Sequence, residues 1–384
     1  MQRRNVSVMG IETVDDAQVA KLLERAEREV AEGLLPSVQI ALAYRGELIA
    51  EAAFGDATTD TRYCIFSATK PFVASVMWAL MADGSIDVTQ PVTTYFPEFA
   101  DPAADPAKAA ITVEQVMLHQ SGFPHAPLGA PDWHDRGRRV ERMGQWRLNW
   151  EPGTRFEYHP TSAHWVLAEI IDQVTGTDYR DVVEQRITGP AGLPRILGIP
   201  QEQQDDIADL VLVGEPATPD EIEAVFGVRE LFAGEVTDAL ITGFNDPATR
   251  ETGVPGAGGF ARARDIALFY QELLHNPNGI WDPDVLADAT GNVRNTLKDP
   301  MGVPANRSLG LILAGDDGKS NLRGLGRTVS AGAFGHNGAG GQLAWADPAT
   351  GLSLGYTTNG YDRHQLREPR RGTAISSIAA TCVS

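Results

Sequence analysis

The sequence predicts an α/β chain of the α+β type: one antiparallel sheet flanked by helices, with a helical subdomain attached. Three observations carry that expectation. Strand-like alternation of apolar residues occurs near both ends of the chain, the long middle reads as helices broken by Pro/Gly loops such as "DPAADPA" and "HAPLGAPDW", and no internal repeat interrupts the scheme. A chain so patterned leaves a sheet, builds a helical body and returns. Residues 1–85 and 301–384 are therefore expected to form a discontinuous sheet subdomain and residues 86–300 a mainly helical one, with a cleft between them. The length of 384 residues suits one such unit or two smaller domains.

Taken in order, 14–32 reads as an amphipathic helix, with Val19, Leu22, Leu23, Ala26 and Val30 spaced to cover one face of a sheet. Val38, Ile40, Leu42 and Tyr44 then alternate, the chain turns at Arg45-Gly46, and Leu48 and Ala50 resume, which is a hairpin. A short β-rich stretch, 62–65, leads into an apolar run predicted helical over 68–81, with Pro71 in its first turn. The acidic segment 201–251 reads as a lid or a surface excursion. Near the C-terminus "GQLAWADPATGLSLGYTTN" repeats the hairpin pattern, turning at Asp347-Pro348 and Gly351.

Composition narrows the partners. With 51 acidic against 32 basic residues and a net charge of −19, the chain would be repelled by nucleic acid and by an anionic membrane surface. The N-terminal "MQRRNVSVMGIETVDD" lacks a signal-peptide apolar stretch, and nowhere do eighteen apolar residues run together. Two cysteines, Cys64 and Cys382, cannot build a disulfide framework, and Cys64, inside the apolar run that leads to Ser67, reads as a buried thiol, so a reducing, cytoplasmic setting is expected. The eight histidines show no metal-ligand spacing; His119, His125, His134, His164, His275 and His364 read as structural or exposed. No cofactor is implied. Gly318-Lys319-Ser320 reads as a turn, because Leu313 stands where a phosphate loop needs its first glycine. "GVPGAGGFARARD" follows a proline rather than a clear strand, against a dinucleotide loop.

The chemistry centres on "YCIFSATKPFVASVMWALM". One of only five lysines, Lys70, stands three residues after Ser67 at the start of the apolar run. Residues three apart share a helix face, so the amine can reach the hydroxyl, and the helix N-terminus favours negative charge developing on that oxygen. A lysine that is to take a proton must be neutral, which requires burial or a nearby cation; Phe66, Phe72 and Val73 offer the apolar setting. Fourteen serines and five lysines give about 0.2 such pairs by chance, so context has to decide.

That context resembles the serine β-lactamase and penicillin-binding-protein superfamily, the group of class C β-lactamases, D-aminopeptidases and class VIII esterases. The nucleophile block "FSATKPFVASVMWALMADGSIDVTQPVTTYFPEF" is followed, in family order, by "ITVEQVMLHQSGFP", "EPGTRFEYHPTSAHWVLAEIIDQVTG", "PGAGGFARARDIALFYQELL" and "FGHNGAGGQLAWADPATGLSLGYTTN". The resemblance implies a β-lactamase-like fold and acyl transfer through an acyl-serine. It makes Ser67 the nucleophile and Tyr158 its proton-handling partner with Lys70, a phenol whose charged form a neighbouring ammonium would stabilise. The Ser67 and Ala339 backbone N–H groups would form the oxyanion hole. His336 and Gly338 of the third motif, and Trp133 in its Pro/Gly loop, would line the substrate cleft.

Two departures point away from β-lactamases. Pro160 stands where they carry an asparagine that grips the antibiotic's amide; it fits as the first residue of a helix running to about Val174, with His159 as a possible cap. His336-Asn337-Gly338 replaces lysine-threonine-glycine, exchanging a permanent cation for an imidazole. Both resemble class VIII esterases. The expected activity is hydrolysis of carboxylic esters; the alternatives are an acyltransferase, a D-amino-acid peptidase or amidase, a weak β-lactamase, or a non-catalytic binding relative. The substrate is a small ester or amide.

Overall fold

A computed structural model describes residues 13–101, 103–229 and 237–383. The stretch used to argue against a leader falls mostly outside these residues, as does part of the acidic segment 201–251. The strands among the described residues are β1 (Ser37–Tyr44), β2 (Glu47–Gly55), β3 (Tyr63–Cys64), β4 (Val211–Val213), β5 (Phe260–Ala261), β6 (Ile312–Leu313), β7 (Phe334–Gly335), β8 (Leu343–Asp347), β9 (Leu352–Thr358) and β10 (Gly360–Asp362). Six of them form one antiparallel sheet in the order β2-β1-β9-β8-β7-β6. Sequence ends meet in it: β1 pairs with β9.

Both expected hairpins form. Arg45 and Gly46 turn β1 into β2 at φ 52° and 84°, the left-handed conformations a two-residue hairpin needs. β1 is buried along its whole length because helices cover both faces of the sheet. Val38, Ile40, Leu42 and Tyr44 pack with Leu22, Ala26, Ile375 and Ala379 of the terminal helices Asp16–Ala31 and Arg367–Ala379. Ala41 and Ala43, pointing the other way, meet Ala263 and Ala267 of helix Ala263–His275. Small residues on that face allow a close approach: a Cβ on Gly355 would lie 2.0 Å from the Ala263 carbonyl oxygen.

Helix Lys70–Ala82 is the axis of the helical body, buried along almost its whole length and packed on Ser162–Thr175, Tyr179–Val183 and Pro283–Gly291. Phe72 stacks on Phe269 with ring centroids 3.8 Å apart, and the Trp78 indole donates to the Leu309 carbonyl at 2.8 Å. Truncating Trp78 to alanine would cost about 3–5 kcal/mol.

Two helices cross the division drawn from sequence. Lys70–Ala82 lies within 1–85 yet packs into the helical body, and Ala263–His275 lies within 86–300 yet covers the sheet. An apolar stripe states that a helix is buried, not against which neighbour. The acidic segment is tied down in part, since β4 pairs in parallel with β10. No described helix is long and apolar enough to cross a membrane. Cys64 and Cys382 are free, buried thiols.

Candidate active site

β3 pairs with β5, and the Ile65 N–H continues that pairing to the Gly259 carbonyl at 2.9 Å. The chain then reverses at Phe66, whose φ of 44° is left-handed and costs a phenylalanine about 1–3 kcal/mol. The buried ring offsets that cost by packing edge-on to Phe244 and Tyr361, with centroids 5.5 and 6.1 Å away. The expected α-helix over 68–81 is corrected at its start. A 3₁₀ turn, Phe66–Thr69, precedes the α-helix, so Ser67 lies inside the tighter turn rather than capping the helix. Pro71 does sit in the first α-helical turn.

Lys70 and Ser67 meet as their spacing predicted, Nζ to Oγ 3.1 Å. The amine also donates to the Pro160 and Gly256 carbonyls, each at 2.7 Å. Neither carbonyl was legible as a partner. Gly256 belongs to the glycine-rich stretch that resembled a dinucleotide loop, and a backbone oxygen leaves no mark on residue type.

Tyr158 donates its hydroxyl to Ser67 Oγ at 2.7 Å. Both neighbours of Tyr158 are fastened to the 119–123 loop. His159 donates from Nδ1 to the Glu157 carbonyl at 2.6 Å, and its Nε2 meets the Phe123 N–H at 3.2 Å and Ser121 Oγ at 3.1 Å. The His159 N–H in turn reaches His119 Nδ1 at 3.1 Å. His119 lies buried against the Tyr158 ring, 4.8 Å between centroids. Two expectations are corrected here. Helix Ser162–Thr175 starts two residues after Pro160, with Thr161 at its cap position, so Pro160 is not its first residue and His159 does not cap it.

Burial dominates the electrostatics. It holds the Lys70 amine well below the usual lysine range, and the nearby Arg307 charge pushes the same way. Burial also pushes the Tyr158 phenol up to about 12, outweighing the opposing influence of Arg307 and the Ser67 hydrogen bond. The expected stabilisation of a phenolate by the lysine is thus reversed: burial favours the uncharged form of both the amine and the phenol. His336 is held well below the ordinary histidine value, first by burial and then by Arg307 and Lys70, so it is a neutral imidazole rather than a partial cation.

The third motif reaches the serine through backbone. Gly338 lies so close to the nucleophile turn that a Cβ on it would fall 2.1 Å from the Ile65 carbonyl oxygen. Ala339 opens a 3₁₀ turn and Ser67 is the second residue of another, positions whose N–H groups have no partner inside a turn. Trp133 is buried, 6.3 Å by ring centroid from the Phe244 that packs on Phe66, so it backs the cleft at one remove. The residue that sequence reasoning missed is Arg307. Its guanidinium lies over the rings of Phe156 and Tyr158, 5.3 and 5.2 Å from their centroids, and its Nη1 is 3.3 Å from His336 Nε2. A cation therefore does stand beside the third motif, although His336 is not it. No motif contains Arg307, and only the fold brings it there.

The family described as Beta-lactamase matches residues 23–376. The chain is similar to the Mycobacterium tuberculosis protein called Esterase/beta-lactamase LipL, 27% identical over 320 residues covering 79% of this chain and 70% of the relative. It is also similar to the N-acetylmuramyl-L-alanine amidase of Bacillus subtilis, 26% identical over 89% of this chain and 81% of the relative. Among solved structures, a family VIII carboxylesterase superposes with a TM-score of 0.76 at 25% identity, over 97% of this chain and 100% of the other.

Proposed function

The chain belongs to the beta-lactamase family and is a serine hydrolase, and from that premise we propose that it cleaves carboxylic esters through an acyl-serine on Ser67. The single observation carrying the mechanism is the set of partners around Lys70. A neutral amine has two hydrogens and one lone pair. The Pro160 and Gly256 carbonyls take the two hydrogens, which leaves the lone pair for the Ser67 hydroxyl.

Lys70 then takes the Ser67 proton as Oγ attacks the ester carbonyl, and the Ser67 and Ala339 N–H groups stabilise the oxyanion. Tyr158, protonated at rest, gives its proton to the departing alkoxide. The resulting phenolate, beside the Arg307 and Lys70 cations, takes a proton from water, which attacks the acyl-serine. Lys70 returns its proton to Oγ, and every group is restored.

Esters are preferred to β-lactams in this reading because Pro160 offers its carbonyl to Lys70 and has no side-chain amide to grip an antibiotic. An amide-cleaving activity would use the same groups, and the amidase relative favours testing it. The two buried, unpaired thiols fit the cytoplasmic setting that we also propose.

The test begins with Ser67→Ala, expected to abolish p-nitrophenyl butyrate hydrolysis with the fold intact, and with a fluorophosphonate, expected to add once, at Ser67. An adduct on another serine, or full activity in the variant, overturns the mechanism. The kcat/KM for p-nitrophenyl butyrate should exceed that for nitrocefin and for D-amino-acid amides on one preparation. If nitrocefin is the better substrate, the ester assignment is wrong.

A further inference from the structure

In the β8–β9 pairing Trp345 stands opposite Leu354, Ala344 opposite Gly355 and Leu343 opposite Tyr356, so the same register would set Gly341 opposite Thr358. Gly341 is not there. Its φ of 97° is left-handed, and it ends the 3₁₀ turn that opens at Ala339. A residue that leaves a ladder deprives its partner of a donor and an acceptor, and Thr358 is fully buried. The Gln342 side chain fills the gap. Its Nε2 donates to the Thr358 carbonyl at 3.0 Å, and its Oε1 accepts from the Thr358 N–H at 3.0 Å. One carboxamide thus supplies both groups that the missing peptide would have brought.

Both ends of that link are rigid. Thr358 stands opposite Val38 in the β1–β9 pairing, and its hydroxyl donates to the Ser37 carbonyl at 2.7 Å and accepts from the Gly360 N–H at 3.0 Å. At the other end the Gln342 carbonyl accepts from the Gly338 N–H at 2.9 Å, which leaves Ala339, Gly340 and Gly341 as a loop between the two. Gln342 is buried, and a Cβ on Gly338 would lie 3.0 Å from the Gln342 Cβ. A second carboxamide secures the β7 side. Asn337 Oδ1 accepts from the Ala344 N–H at 3.0 Å, and its Nδ2 donates to the Gly324 carbonyl. Where the backbone ladders stop, side-chain amides continue them up to the turn.

We infer that Gln342 is a positioning residue for the oxyanion hole: its carboxamide fixes where the turn leaves the sheet, and so where the Ala339 N–H stands relative to Ser67. This rests on the acyl-serine reading above, in which that N–H receives the developing oxyanion. A donor of this kind acts at the place the tetrahedral oxygen will occupy, so displacing the turn should show in kcat rather than in KM. The two-way bond also sets a chemical condition on any replacement. In Gln342→Glu a carboxylate would accept from the Thr358 N–H but set a lone pair against the Thr358 carbonyl. The neutral acid donates there again. Acid should therefore restore that variant.

The experiment compares p-nitrophenyl butyrate with its thiono analogue, in which sulfur replaces the carbonyl oxygen, on wild type, Gln342→Met and Gln342→Glu. Sulfur is a weak acceptor, so the ester-to-thionoester ratio of kcat/KM, taken relative to hydroxide-catalysed hydrolysis, reads the oxyanion donors, whereas damage to Ser67, Lys70 or Tyr158 slows both substrates alike. Gln342→Met, similar in size but without either bond, should lower kcat on the ester by about ten-fold with KM little changed, and should shrink the ratio by a similar factor. Gln342→Glu should be as slow at pH 8.5 and should recover by about five-fold, relative to wild type at the same pH, at pH 5.5. A ratio that Gln342→Met leaves at the wild-type value, or a Gln342→Glu variant that stays slow at pH 5.5, overturns this inference alone. Should Gln342→Met fail to fold, the recovery of Gln342→Glu decides. Should neither fold, hydrogen exchange on the wild type decides: phosphonylation of Ser67 fills the oxyanion hole and should slow exchange at the Thr358 N–H by about ten-fold, and an unchanged rate overturns the link. A wild-type ratio no larger than that of hydroxide overturns the oxyanion reading beneath it, and no turnover of either substrate with no fluorophosphonate adduct overturns the ester-hydrolase reading.

Discussion

Lys70 and Tyr158 both contact Ser67 Oγ, and the Lys70 amine lies 4.9 Å from the centroid of the Tyr158 ring, so neither side chain can be altered without disturbing the proton held by the other. Lys70→Ala and Tyr158→Phe are each expected to lower kcat on p-nitrophenyl butyrate by about a hundred-fold or more, the range for losing a positioned acid or base. Groups that act as a unit are not additive, so the double variant should be little worse than the worse single one. Multiplicative losses would show two independent roles. The same pair sets the pH dependence. Activity needs neutral Lys70 and is lost as pH falls through its pKa; since burial and Arg307 hold that pKa well below the usual lysine range, the acidic limb of kcat/KM should also lie well below it. In Arg307→Gln the amine loses a neighbouring cation and the limb should move up. A limb that stays in place would remove Arg307 from the tuning of Lys70.

At the level of elements, the site exists because the 3₁₀ turn Phe66–Thr69 and the turn starting at Ala339 are pressed together at Ile65 and Gly338. Gly338 has an ordinary backbone angle, φ −101°, so only space excludes a side chain there. Gly338→Ala should force the two turns apart, lower hydrolysis by about a hundred-fold through a displaced oxyanion donor, and leave the far-ultraviolet spectrum intact. Unchanged turnover would mean that the Ala339 N–H takes no part. The hairpins were legible in the sequence because alternation and turn chemistry are local signals, and the pairing of Ser67 with Lys70 was legible because it spans a single turn. The 3₁₀ start was not, since its apolar spacing does not differ from that of an α-helix over four residues. Arg307 and the carbonyls of Pro160 and Gly256 were invisible for a different reason. Each comes from a segment distant in sequence from Lys70, and their roles depend on which oxygen or guanidinium the fold delivers rather than on any spacing.

Over the whole molecule, function has filled the core with titratable groups, and the stability of the fold should record it. His119, His159, His164 and His336 are all buried, and burial holds each neutral: His159 is pushed down to about 3 and the others well below the ordinary value. Once unfolded they protonate near pH 6.5, so each favours the unfolded chain by about 1.4 kcal/mol for every unit that pH falls below that point. Lys70 and His275, also depressed, act in the same direction. Raised carboxyls oppose them. Burial pushes Asp172 and Glu368 up to about 7 and raises Glu272, so these bind protons in the fold before the unfolded chain does, and acidification from 7 toward 4 favours the native state through them. The depressed bases outnumber the raised carboxyls, so the unfolded chain binds more protons than the fold and stability falls as pH drops below 6.5. Urea denaturation at pH 7.5, 6.5 and 5.5 should show stability falling across the last interval, and constant or rising stability there would show that the histidines are not held neutral. His164 isolates the cause, because neither of its ring nitrogens makes a hydrogen bond of ordinary geometry among the described residues. His164→Leu therefore breaks no such bond, and replacing an unpaired buried polar ring by an apolar side chain should be near neutral at pH 7.5. Its effect should emerge on acidification, as a slope shallower by about 1.4 kcal/mol per pH unit. A variant that loses stability in parallel with the wild type from pH 6.5 to 5.5 would show that His164 takes up its proton inside the fold.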